Sequence, residues 1–108
     1  MSRFVTTLRA RPMSIRLAPP AAATVWTVRV QCEDAWDAVR MEVLPETSVR
    51  DAKHAAMTAL LPDVTDTDGY VAKLRGIEVR DEGVSLQSAG AVDGSIVLVT
   101  SRRRRPVR

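Results

Sequence analysis

From Val25 onward the chain alternates between apolar and polar positions. Trp26, Val28 and Val30 are interleaved with Thr27, Arg29 and Gln31, and Val39, Met41 and Val43 with Arg40, Glu42 and Leu44. A period of two is the mark of half-buried strands, and the polar stretch 32–38 between these two predicts a hairpin with a loop of several residues. After Pro45 the period becomes helical. Val49, Ala52, Lys53, Ala56 and Leu60 fall at offsets of three and four on one face. Ser48 is placed to cap the first turn, Asp51 suits the N-terminal dipole, and the helix is expected to end near Leu61, before Pro62.

A polar loop at 63–69 leads into two short strands at 70–74 and 77–79, joined by Arg75 and Gly76, a pair that suits a turn needing positive φ. The stretch 80–93 reads as a loop anchored by Leu86. Asp93-Gly94 then turns the chain into a last strand, 95–100, in which Ile96 and Leu98 are expected to point inward, opposite Val97 and Val99. The element order is β-β-α-β-β-β. The expected core comprises Trp26, Val28, Val30, Met41, Val43, Val49, Ala52, Ala56, Leu74, Leu86, Ile96 and Leu98. No repeat of fixed period is present.

Charge divides the chain into three. All thirteen acids lie between residues 17 and 101, together with seven of the sixteen cations, so this stretch carries −6 while the whole chain carries +3. Residues 1–24 are expected to form a disordered basic arm, 25–101 the folded domain, and 102–108 a disordered Arg-rich tail. The arm has the Arg and Ser/Thr content of an organellar transit peptide. Pro12, Pro19 and Pro20 interrupt any long amphipathic helix in it, and a start at Met13 is an alternative reading. With Cys32 as the only cysteine the domain contains no internal disulfide, which points to a reducing, cytoplasmic setting. No apolar run approaches the roughly 18 residues that cross a bilayer.

Three stretches resemble the ubiquitin-like β-grasp family, an α+β fold with one helix packed across a mixed sheet. The most specific is Met41-Glu-Val-Leu-Pro45 continuing through Thr47-Ser-Val49 to Asp51-Ala-Lys53, where Lys53 matches a lysine that the family buries by its stem. Leu74-Arg-Gly76-Ile-Glu-Val79, with Asp81 and Leu86, resembles the hairpin before the long loop. Gly90-Ala-Val-Asp-Gly-Ser95-Ile-Val-Leu98 is similar to the turn into the last strand, with Ala91 in place of a larger aliphatic anchor, which implies a slightly underfilled core corner.

The resemblance covers about residues 25–101 and implies a non-catalytic protein–protein interaction module. Conjugating members end in Gly-Gly, but no glycine follows Gly94 here, so activation as a modifier or sulfur carrier with a non-standard C-terminus is the rival reading. The aliphatic patch by which ubiquitin is read is altered, with Lys73 at its centre, Val99 retained, and Glu33 or Asp34 in the first hairpin loop. The YukD and EsaB type of small bacterial ubiquitin-like protein, associated with type VII secretion and generally lacking the diglycine, is the subgroup it resembles. Fourteen arginines against two lysines, with abundant Ala and Val, fit a GC-rich bacterial genome.

The candidate protein-binding surface is accordingly the exposed sheet face around Arg29, Arg40, Lys73 and Val99, bordered by Trp36, with the partner's identity open. A second candidate is the tail: Arg102, Arg103, Arg104, Arg105 and Arg108 suit weak, salt-sensitive attraction to nucleic acid or anionic lipid, with no aromatic among them to stack a base. Catalysis is not expected. His54 and Cys32 are the only residues of their kinds and would lie far apart in a β-grasp, as a solvent-facing histidine and a loop thiol. Alignment of Gly69 with the sixth position of a calcium loop puts Val64 first and Arg75 twelfth, without the required carboxylates. No cofactor and no metal are expected, and the domain is read as a monomer.

Overall fold

The computed structural model describes residues 14–102. Six strands form one mixed sheet: β1 (Ser14–Arg16), β2 (Trp26–Cys32), β3 (Asp37–Val43), β4 (Tyr70–Leu74), β5 (Ile77–Glu78) and β6 (Ile96–Ser101), in the order β1-β3-β2-β6-β4-β5. A single helix, α1 (Val49–Leu60), packs across one face. The hairpin β2–β3 is antiparallel, β6 lies parallel to β2 between the two hairpins, and β4 pairs antiparallel with both β5 and β6. This is the α+β, β-grasp arrangement expected from residue 25 onward.

The sheet gains one strand in the stretch expected to be a disordered arm. Ser14–Arg16 pairs parallel with Arg40–Glu42 at the sheet edge. Ile15 turns toward the core, the Arg16 guanidinium meets Glu42 at 2.8 Å and the carbonyls of Ala18 and Pro19, and the amides of Leu17 and Ala18 both donate to the Glu42 carbonyl. The prolines that rule out a helix leave a three-residue edge strand free to form, because Pro19 follows it rather than interrupting its ladder.

Ser48 caps α1 as expected, its Oγ accepting from the Asp51 amide at 3.0 Å. The next two orphan donors are satisfied by the long loop: the Val49 amide donates to the Val84 carbonyl and the Arg50 amide to that of Glu82. The loop is therefore tied to the start of the helix, and Leu86, fully buried, pins it to the core. The same tether brings Glu82 against Lys53. Lys53 is 2% exposed; its Nζ lies 2.6 Å from Glu82 Oε1 and donates to the carbonyls of Thr67 and Tyr70 at 2.9 Å each. Its head group is thus buried as well, where the resemblance implied burial of the stem alone.

The core contains the expected Val28, Val30, Met41, Val43, Val49, Ala52, Ala56, Leu74 and Leu86, and adds Cys32, Val39, Met57, Ala72, Ala91, Val97 and Val99. Trp26 packs on its margin, half-buried. The register of β6 is the reverse of that expected. Val97 and Val99 are buried, whereas Ile96 is 55% exposed and Leu98 is only partly covered. Four consecutive aliphatic residues carry no alternation, so the period is silent about their faces. Backbone pairing decides. The Gly94 amide donates to the Thr27 carbonyl, Asp93 Oδ1 accepts from the Thr27 amide at 2.7 Å, and the Arg29 amide donates to the Ser95 carbonyl, which places Val97 opposite Val30 and Leu74. The inversion changes one strand's faces and leaves the topology intact.

Candidate protein-binding face

Because α1 covers one face of the sheet, residues of opposite parity on β1, β3, β2, β6 and β4 form an uncovered outer face. Strand pairing arranges them in rows. One row runs Ser14, Arg40, Arg29, Ile96; the next runs Ala38, Gln31, Leu98, Lys73, Glu78. Arg29, Arg40 and Lys73 thus stand on one face, as expected. Val99 does not: it is fully buried on the helix-covered face, between its register partners Cys32 and Ala72, and the positions of opposite parity on β6 are Ile96, Leu98 and Thr100. The exposed aliphatic side chain of this face is Ile96, which the register expected from sequence places in the core.

Trp36 marks the tip of the hairpin. It is 89% exposed and adopts φ 53°, closing the 3-10 turn Glu33–Ala35 in the left-handed region. A bulky residue rarely takes this conformation, which glycine adopts without penalty. The rest of the tip is anchored by its acids. Glu33 Oε1 accepts from Thr100 Oγ1 at 2.6 Å, and Asp34 Oδ2 accepts from the Tyr70 hydroxyl at 2.8 Å. These two tethers tie the first hairpin to β6 and β4. Nothing in local periodicity points to them, since their partners lie tens of residues away.

The other candidates separate. Cys32 is the last residue of β2 rather than a loop thiol; it is fully buried, and burial together with the neighbouring Asp34 pushes its thiol up to about 11. A thiol held protonated is a poor nucleophile. His54 is exposed on the solvent side of α1. In the acidic loop, Thr67–Gly69 forms a 3-10 turn whose carbonyls serve Lys53 and Arg102, the latter through the bond from the Arg102 amide to the Gly69 carbonyl at 2.7 Å. Among the described residues no three His, Cys, Asp or Glu side chains gather as a metal site.

Arg102, assigned by sequence to the free tail, is docked. Besides its amide bond, its Nε reaches the Asp68 carbonyl at 3.4 Å and a terminal guanidinium nitrogen lies 3.9 Å from Glu78 Oε2. Arg103, Arg104, Arg105 and Arg108 lie outside the described residues. No described helix is long and apolar enough to cross a membrane.

No protein-family model matches the chain, and no curated protein matches it significantly in sequence. Solved structures do match. The ubiquitin-like domain of an Arabidopsis thaliana protein aligns with a TM-score of 0.61 at 18% identity, covering 82% of this chain and 88% of that one. A ubiquitin-like protein from Trypanosoma brucei aligns at 0.59 and 21% identity over 75% and 99% of the two chains. The C-terminal ubiquitin-like domain of mouse tubulin-specific chaperone e aligns at 0.62 and 15% over 84% and 99%. With one helix laid across a mixed sheet and these matches over most of its length, the chain has the ubiquitin-like β-grasp fold.

Proposed function

We propose that this chain is a non-catalytic, ubiquitin-like protein–protein interaction module that binds its partner through the outer sheet face. The observation that carries the reading is the composition of that face. Arg29, Arg40, Lys73 and the exposed Ile96 lie together on rigid strands, with Trp36 projecting at their edge. Exposed Trp and Arg are the residue types that dominate binding energy at protein interfaces. Several structural neighbours are themselves ubiquitin-like domains of larger proteins, among them tubulin-binding cofactor B. They lend support to a binding module while leaving its partner open.

Within this reading we place the chain in a bacterial cytoplasm, as an accessory of a type VII secretion-like system. The basic tail contributes at most weak, salt-sensitive attraction to polyanions. Neighbouring secretion ATPase genes would favour this setting, and an adjacent adenylating enzyme with a peptidase would favour the modifier. The direct test is affinity capture of a partner from host extract by the full chain. Retention should be non-covalent, abolished by combined Arg29→Glu, Arg40→Glu and Lys73→Glu, and insensitive to removal of residues 103–108. Capture indifferent to the three face substitutions would overturn the proposal.

A further inference from the structure

Arg29 and Arg40 are register partners in β2 and β3, so their Cβ atoms stand about 5 Å apart and two cationic side chains rise from neighbouring points of the outer face. Like charges placed opposite one another oppose pairing of the strands. Neither side chain is relieved within the described residues. The nearest same-face acid, Glu42, is taken by Arg16 at 2.8 Å, and Glu78 at the other end of the sheet faces Lys73 and Arg102. The domain is not short of carboxylates, since residues 17–101 hold thirteen, but the fold directs nearly all of them elsewhere. An otherwise acidic domain therefore presents a cationic row on one face, and that row continues into Ile96.

We infer that the row Arg40–Arg29–Ile96 is the docking site for an acidic peptide segment of the partner protein, one that offers two carboxylates to the guanidinium pair and an aliphatic side chain to Ile96. This rests on the interaction-module reading and deepens it by naming the partner's chemistry. Three observations select a peptide over a nucleic acid. A guanidinium pair fits two carboxylates, each able to accept two parallel N–H bonds. The third member of the row is an aliphatic side chain 55% exposed, which a phosphodiester chain has nothing to cover. The surrounding −6 domain repels a long polyanion, whereas a short acidic segment confined to the row meets only its cations.

The row crosses three neighbouring strands and so spans about 10 Å, two strand spacings. Its ligand therefore carries the two acids at successive positions of one face and the aliphatic residue at the next. The test uses the isotope-labelled full chain and a synthetic peptide with two glutamates and a leucine so spaced, followed by amide chemical shifts. Controls are the glutamine-for-glutamate analogue, the serine-for-leucine analogue and single-stranded oligothymidylate. Shifts should concentrate at the amides of Arg29, Arg40 and Ile96. The charge-neutral Arg29→Gln/Arg40→Gln variant should bind at least about tenfold more weakly. Ile96→Ser and the serine analogue should each cost a few-fold. All three side chains are exposed, so the spectra of the variants will report a retained fold. Equal binding by the glutamine analogue, shifts confined to other surfaces, no binding, or stronger binding by oligothymidylate would each overturn the inference. A partner captured from extract that depends on Lys73 and Trp36 but ignores Arg29→Gln/Arg40→Gln would end this proposal while leaving the interaction module standing.

Discussion

Lys53 Nζ lies 2.6 Å from Glu82 Oε1, joining the centre of the helix to the long loop at a site where the lysine is only 2% exposed. A buried ammonium keeps its charge only if its hydrogen bonds are met, and here one carboxylate and two carbonyls meet them. Glu82→Ala should therefore destabilise the domain by roughly 2–4 kcal/mol, because it strands a buried charge. Lys53→Met, which removes the charge but keeps the stem's volume, should cost less. Urea unfolding of the two variants checks the order, and equal losses would show that packing rather than charge dominates the site.

The reversed face of β6 yields a paired prediction. Val97→Ala opens space in the core and should cost about 2 kcal/mol, whereas Ile96→Ala should change stability by about 1 kcal/mol or less. Comparison of denaturation midpoints at unchanged slope is sufficient. The opposite ranking would restore the register expected from sequence.

That register is also where legibility ended. The period of two in 26–30 and 39–43, and the period of 3.6 beginning after Ser48, placed two strands and the helix because each alternates polar with apolar residues along its own length. The first four residues of β6 are all aliphatic, so its orientation is fixed by partners on β2 and β4. The three residues of β1 are too few to show a period, and the strand is held by pairing with β3, by Ile15 against the core and by the bonds of Arg16. At the candidate site, Arg29, Arg40 and Lys73 were legible as polar positions of regular strands. Ile96 was not, for the same reason as β6, and the charge crowding of Arg29 against Arg40 required the register between two strands.

Trp36 predicts a trade of stability for binding. An L-residue in the left-handed region costs roughly 1–2 kcal/mol, and glycine would escape this while losing more freedom on folding. Since Trp36 is 89% exposed it contributes little burial, so Trp36→Gly should stabilise the domain by about 0.5–1 kcal/mol while weakening partner capture. A destabilised variant would mean that Trp36 is held by packing in solution.

Cys32 gives the domain an alkaline limit. Its thiol, ordinarily near 9.0, is pushed up to about 11 by burial and by Asp34, so the fold favours the protonated form. Below pH 9 both folded and unfolded chains keep the proton. As pH rises from 9 toward 11 only the unfolded chain releases it, and stability falls by roughly 2–3 kcal/mol. Cys32→Ala should begin less stable at neutral pH but lack this component of the decline. Parallel stability curves for the two proteins between pH 9 and 11 would refute the assignment.

The central claim, non-covalent recognition through the outer sheet face, is tested most directly by site-specific photo-crosslinking in host extract. A photoreactive residue replaces Gln31, which lies beside Leu98 on the outer face, or His54, on the solvent side of α1. A light-dependent adduct is expected from position 31, mapping to an acidic segment of one partner protein, and none from position 54. Adducts from position 54 alone, or an adduct that forms without light, would contradict it.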